Sequence, residues 1–246
     1  MPFVGEDCAA SMIRRPPGAV GAVDSIDPTM AAATFATIDD LQHAHRRCHR
    51  CVDAGFIRQA HPVFSGHAGQ RILLVGQAPG PVEIDVARPF AGRAGRQLMR
   101  WMLRAGFSDD EAVRRRVYMT AMTTCFPGKR LIGSGDRRPS VREVSLCAPW
   151  LESLLSLLQP RLILVVGSLA LTRFLPGARL DGVVGDAFTS RGTRIDGMPG
   201  EAPVLLPLPH PSGQSRWLNE APRAALLDAA LRRLASLAVW ADSGNN

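Results

Sequence analysis

The chain has 246 residues, with 29 Lys+Arg against 22 Asp+Glu for a formal charge of +7, and a 46% apolar share that can fill a core. That composition excludes wholesale disorder, and the length suits one sizeable domain or two small ones. No apolar run approaches the roughly 18 residues of a membrane span and the start lacks a secretory h-region, so a soluble, cytoplasmic, nucleoid-associated protein with no membrane partner is expected.

Residues 1–33 carry scattered Pro, Gly and Ala without a period and read as a mobile leader. Thr37 is a plausible N-cap for a helix running to about Val52 and ending at Gly55. Four strand-length apolar runs follow, at 71–75, 117–122, 162–166 and 204–208. The third is almost wholly apolar, as a strand buried on both faces requires. Helical patterns separate the runs. Residues 95–105 place Leu98, Met102 and Ala105 on one side and stop at Gly106. Ser140 and Glu143 form a capping box. The helix it opens carries Leu146, Trp150, Leu154 and Leu157, and Pro160 ends it. A last helix starts near Pro222 and repeats Leu226, Leu227, Ala230, Leu231, Leu234 and Leu237.

Strands alternating with helices predict an α/β fold: a three-layer α/β/α domain over residues 34–240, with a central, mainly parallel four-stranded sheet and a short tail at 241–246. Ligands of such sheets bind at the carboxyl ends of the strands. Two long Gly- and Arg-rich connections, 126–139 and 176–202, are long enough to be functional or disordered.

Three constellations could carry chemistry. Gly76-Gln77-Ala78-Pro79-Gly80 follows the first strand, with Glu83 and Asp85 behind it and Arg88-Pro89-Phe90-Ala91-Gly92-Arg93-Ala94-Gly95 opening a helix. Glycines beside a helix N-terminus let backbone N–H groups approach an anion or an acceptor-rich ring; Gly-Pro punctuation also reads as a simple turn. His210 stands between two prolines at the exit of the last strand, followed by Ser212, Gln214 and Arg216. The third set is cysteines. Cys48 and Cys51 form a C-x2-C pair, Cys125 follows the second strand, and Cys147 lies in the Ser140-capped helix. In a reducing compartment such thiols suit zinc or a [4Fe–4S] cluster, or bury as core; Cys8 is the spare.

Together, Gly76–Gly80, Glu83, residues 88–98, the cysteine loop and His210-Pro211-Ser212 resemble the uracil-DNA glycosylase superfamily, and within it the family-four iron–sulfur branch. The resemblance covers about residues 45–238. It implies hydrolysis of the N-glycosidic bond of uracil, or of another deaminated or modified base, in DNA. The product would be an abasic site that starts base-excision repair, with no obligate protein partner. A catalytically weak damaged-DNA or abasic-site binder on the same fold is the alternative.

The resemblance also implies residue roles. Phe90 would stack on the flipped base, and His210 would stabilise charge on the departing base. Glu83 would position the water, with Asp85 as the alternative carboxylate. Gly76, Gln77, Ala78, Pro79 and Gly80 would form the wall at the base. Cys48, Cys51, Cys125 and Cys147 would hold the [4Fe–4S] cluster, with structural zinc as the alternative. Ser212, Gln214 and Arg216 would press on the DNA backbone. Apart from the resemblance, Lys129, Arg130, Arg137 and Arg138 read as phosphate contacts or, equally, as solvated loop charge.

Three departures stand out. Gln77 replaces the Glu usual in this branch. Ala121 replaces the Asn with which many members read the uracil edge. The loop between Cys125 and Cys147 holds 21 residues, longer than usual for family four, and approaches that of the covalently uracil-trapping branch, UdgX. Its Lys129-Arg130-Leu131-Ile132-Gly133 run, however, ends in Gly where that branch has a nucleophilic His, so covalent trapping by that route is not expected.

Overall fold

The computed structural model describes residues 35–213 and 216–243, Arg216 in its backbone only; the expected leader at 1–33 and the last three residues lie outside them. The described elements are helices α1 (Ile38–Arg46) and α2 (Arg50–Asp53), strand β1 (Ile72–Gly76), helices α3 (Pro81–Asp85), α4 (Arg93–Arg104) and α5 (Asp110–Arg116), strand β2 (Val117–Ala121), and helix α6 (Val141–Leu158). Strand β3 (Leu162–Val166), helices α7 (Gly167–Phe174) and α8 (Leu180–Val183), and strands β4 (Ala187–Thr189), β5 (Arg194–Ile195) and β6 (Val204–Leu208) follow. A 3-10 turn (Arg216–Asn219) and α9 (Ala221–Asp242) close the chain.

The sheet order is β2-β1-β3-β6-β4-β5. The four strands read from the sequence are its parallel core: β1 pairs with β2 and β3, and β3 with β6. The expected four-stranded sheet has two further members. Antiparallel β4 and β5 extend it from inside the 176–202 connection. At three and two residues they are too short to show a period.

Side chains of a strand alternate between faces, and the buried residues divide accordingly. Ile72, Leu74, Met119, Leu162, Leu164 and Leu206 pack with Leu98, Trp101 and Met102 of α4 and Leu227, Leu231 and Leu234 of α9. Leu73, Val75, Tyr118, Ile163, Val165 and Leu205 pack with Leu41 of α1, Leu151, Leu154 and Leu158 of α6, and Leu171 of α7. The described residues therefore form a three-layer α/β/α sandwich. Helix α9 continues to Asp242, two residues past the expected boundary.

Local chemistry sets the ends of the elements. Thr37 Oγ1 accepts the Asp40 N–H and starts α1 as expected. The single helix expected from there to Val52 is instead two. Arg47 and Cys48 donate to the carbonyls of Ala44 and His45, the i→i−3 bonds of a tightening last turn, and a second short helix begins after His49. In α6 the Ser140/Glu143 capping box is formed. Its buried stripe is Cys147, Leu151, Leu154 and Leu158, one position along from most of the expected one.

Candidate functional site

Parallel pairing in register brings the carboxyl ends of the strands to one edge. Gly76 pairs with Ala121, and Val166 with Leu208. The loops leaving that edge enclose a cleft of about 880 Å³, within the usual size for a ligand site. Gly76, Gln77, Ala78, Pro79, Gly80, Glu83, Phe90, Ala121 and His210 all line it. Asp85 is exposed on α3 and absent from the lining. It sits at the solvent side of that short helix, which corrects its reading as the alternative water-positioning carboxylate.

Glu83 is buried and ties two loops together. Its Oε2 accepts the Gly80 N–H at 3.0 Å and its Oε1 accepts the Gly92 N–H at 2.8 Å. Both donors are N-cap residues, of α3 and α4, so the carboxylate answers two unsatisfied helix starts. A Cβ on Gly92 would lie 3.1 Å from Oε1. Phe90 takes a left-handed φ of 54°, a conformation that costs a non-glycine residue about 1–2 kcal/mol. Its surroundings leave little choice. A Cβ on Gly95 would stand 1.7 Å from the Phe90 carbonyl oxygen, the ring tip rests over Gly76, and Arg114 Nη1 donates to the Pro89 carbonyl at 3.2 Å.

His210 lies at the exit of β6. Its Nδ1 accepts the Ser212 N–H at 3.2 Å and lies 2.9 Å from Ser212 Oγ. An Nδ1 that accepts a backbone N–H leaves the ring hydrogen on Nε2. Burial lowers the His210 pKa below its ordinary value, which keeps the ring neutral. Ser212 thus fixes the tautomer of His210, a different task from the phosphate contact expected of it. Gln214 and the Arg216 side chain lie outside the described residues.

Behind the cleft is a second cavity, lined by Cys48, Cys51, Cys125 and Cys147 together with Thr123, Thr124 and Glu143. The expected ligand set is thus brought to one place from three segments. Burial pushes the Cys51 thiol up to about 11 and Cys125 up to about 12, with repulsion from neighbouring thiolates adding to it, and it raises Cys147 as well. A bound cationic centre reverses that preference. Trp150 Nε1 donates to Cys48 Sγ at 3.2 Å, and Thr124 Oγ1 lies 3.7 Å from Cys147 Sγ. Thr123 Oγ1 is buried on this cavity's wall without a hydrogen-bond partner among the described residues. An all-thiol donor set with an orphaned hydroxyl fits a sulfur-ligated group. Among the described residues no three His, Cys, Asp or Glu side chains form a group placed to hold a metal ion.

The uracil DNA glycosylase superfamily model matches residues 64–235, more than half of the chain and every residue that lines the cleft except Val63. The chain belongs to the uracil DNA glycosylase superfamily. It is similar to the Type-4 uracil-DNA glycosylase of Pyrobaculum aerophilum, at 33% identity over 52% of this chain and 61% of the relative. The Type-4 uracil-DNA glycosylase of Thermotoga maritima is 29% identical over 61% of this chain and 69% of the relative. A Type-5 uracil-DNA glycosylase of P. aerophilum is 31% identical over 43% of this chain and 48% of the relative. The chain therefore spans roughly half to two thirds of the length of these relatives. The Type-4 names agree with the family-four resemblance of the motifs.

The basic residues of this superfamily member divide by what they already hold. Arg137 gives both terminal nitrogens to the buried carboxylate of Glu143, at 2.6 and 2.8 Å, and also donates to the Pro127 carbonyl. It is a fastener of the 126–139 loop, which corrects its reading as a phosphate contact. Lys129 is paired with Asp136 at 2.6 Å. Arg130 and Arg138 are exposed on the cleft wall with no ion pair among the described residues. Two contributors escaped the sequence reading. Arg93 opens α4 and lines the cleft. Gly167 has φ 84°, and a Cβ there would lie 3.2 Å from the His210 ring. A glycine directly after an apolar strand was the available cue to Gly167.

Proposed function

We propose that this protein hydrolyses the N-glycosidic bond of uracil in DNA, leaves an abasic site and initiates base-excision repair in the cytoplasm. The observation that carries the reading is a half-buried His210 whose Nδ1 accepts the Ser212 N–H, which leaves its hydrogen on Nε2, sharing one cleft with Phe90 and Glu83. A base must leave the stack to reach such a cleft. Phe90 offers a face to stack on, worth roughly 1–3 kcal/mol per base. As the bond breaks, negative charge grows on the base, and the His210 Nε2–H is a preorganised donor for it. Each Glu83 oxygen has a lone pair beyond the one its backbone donor uses, enough to accept a hydrogen from the attacking water. Ala121 offers no side-chain hydrogen bond, so base selectivity falls to Gln77 and the loop backbone. The one lysine of the chain, Lys129, is held by Asp136, which favours simple hydrolysis over a Schiff base.

Cys48, Cys51, Cys125 and Cys147 would hold a [4Fe–4S] cluster. When bound, such a group cross-links the segments that carry its thiolates. The four cysteines that line one cavity support a thiolate-ligated group there; zinc would need all four sulfurs about 2.3 Å from one point. Broad visible absorbance with stoichiometric iron and sulfide is the expected result, and a colourless protein with one zinc would overturn it. The activity test is a uracil-containing oligonucleotide followed by alkali, which breaks the strand at abasic sites. His210→Ala should lose most excision and keep DNA binding. Glu83→Gln should lower turnover more than affinity. Binding by the unaltered protein without any strand break would leave it a damaged-DNA binder, and borohydride trapping of a covalent complex would exclude simple hydrolysis.

A further inference from the structure

The segment that presents Phe90 bends twice into backbone that residues with side chains rarely adopt. Ala87 has φ 49° and Phe90 φ 54°. The first bend has a local reason. The Ala87 N–H donates to the Ile84 carbonyl and the Arg88 N–H to the Glu83 carbonyl, the pair of bonds with which a left-handed residue closes a helix, here α3. The second bend is held from a distance, by helix α5. Asp110 and Arg114 stand one turn apart on it, and Arg114 Nε donates to Asp110 Oδ1 at 3.0 Å. From that pair two bonds reach the segment. Arg88 Nη2 donates to Asp110 Oδ2 at 2.7 Å, and Arg114 Nη1 donates to the Pro89 carbonyl at 3.2 Å. Pro89 is buried, and the Arg114 side chain is only 14% exposed.

The Pro89 carbonyl belongs to the peptide plane that precedes Phe90, and the rotation of that plane about the Phe90 N–Cα bond is φ itself. The ring of Pro89 already fixes the φ before it. A guanidinium donating to that carbonyl therefore sets which way the plane faces. The peptide after Phe90 is held by packing, since its carbonyl oxygen fills the place that a Cβ on Gly95 would take. With both planes held, the ring tip stays over Gly76, 3.0 Å from where a Cβ there would stand. With the first plane free to turn, Phe90 would relax out of the left-handed region and carry its ring off the cleft wall. We propose that Arg114, braced by Asp110, is a positioning residue that holds the Phe90 ring in place to stack on the extruded base. Arg114 itself does not line the cleft. The inference rests on the glycosylase reading and adds to it the residue on which the stacking face depends.

The test asks whether Arg114 acts through Phe90. Excision from a uracil oligonucleotide is compared for the full-length protein, Phe90→Ala, Arg114→Met and the two together. Phe90→Ala should be slower by about tenfold or more, as a lost stack requires. Arg114→Met should be slower by about three- to tenfold, with affinity for the same oligonucleotide lacking uracil unchanged. Added to Phe90→Ala it should cost less than about twofold more, because the ring it holds is gone. Asp110→Asn, which removes the brace and keeps Arg114, is the milder variant and should show the same non-additive pattern. A second readout needs no excision. With para-fluorophenylalanine at the nine phenylalanines, the Phe90 fluorine resonance is identified by its loss in Phe90→Leu. In Arg114→Met and in Asp110→Asn it should shift or broaden in the free protein, while that of the buried Phe64 stays in place. Additive losses of rate, or an unmoved Phe90 resonance, would overturn the clamp. Absence of excision by the unaltered protein would remove the glycosylase reading, and the fluorine resonance would then decide the clamp by itself.

Discussion

The proton on His210 is controlled by a neighbour two residues away. The Ser212 N–H occupies Nδ1, so protonating the ring would set two hydrogens against each other as well as charge a half-buried group. Burial already lowers the His210 pKa from the ordinary value near 6.5. The active neutral form should therefore persist below that value. Single-turnover excision should be flat from pH 8 down through 6.5 and fall only in more acidic buffer; a midpoint at or above 6.5 would contradict the assignment. Gly167 supports the same ring. An alanine there adds a Cβ 3.2 Å from the imidazole at a left-handed φ. Gly167→Ala should cost about 1–2 kcal/mol of stability and about tenfold in turnover, measured by urea unfolding and by excision at saturating DNA. Glu83, Phe90 and His210 were legible in sequence because each sits in a short motif at a strand exit. Gly167 was not, because what makes it matter is its distance to a ring far along the chain.

Elements were legible where their period was long. The four parallel strands and helices α4, α6 and α9 stand close to their expected places. β4, β5, α3 and α8 did not stand out, since elements of two to five residues carry less than a full period. The break between α1 and α2 also went unread, and it has a tertiary reason. The end of α1 is fixed by a column of rings in which His45 lies 4.6 Å from both Phe64 and Trp150, while His45 Nε2 contacts Thr124 Oγ1 at 2.9 Å. Burial, aided by Arg50 and Arg46, lowers the His45 pKa to about 3. The unfolded chain takes up this proton near pH 6.5 and the folded chain only near 3. Stability should thus be lost as pH falls between those values, by up to roughly 1.4 kcal/mol per unit. Urea midpoints of the unaltered protein should drop more between pH 6.5 and 4.5 than those of His45→Phe, which keeps the stack without the titration. Parallel curves would show that His45 does not set the acid sensitivity.

At the scale of the molecule, the +7 charge is not a uniform coat. Arg88, Arg104, Arg116, Arg173, Arg194 and Arg223 are paired with carboxylates, so Arg93, Arg130 and Arg138 count for more at the cleft. The cysteine cavity is joined to the same place through the backbone. The Met122 and Thr123 N–H groups donate to the carbonyls of Gly76 and Gln77, which sets the loop leading to Cys125 against the wall of the cleft. On the proposed cluster reading, that loop, α6 and the α1–α2 segment share one cross-link, and α2 buries no side chain of its own to replace it. Removing the cluster with an oxidant and chelator should lower the thermal midpoint by several degrees, at about 2–4 °C per kcal/mol for a chain of this size. Trypsin should then cut first within residues 46–58, where Arg46, Arg47 and Arg58 are exposed and Arg50 is half-buried. Excision should fall in step with that cleavage as the Gln77 wall loosens. An identical digestion pattern with and without the cluster would mean that the thiols do not hold this segment.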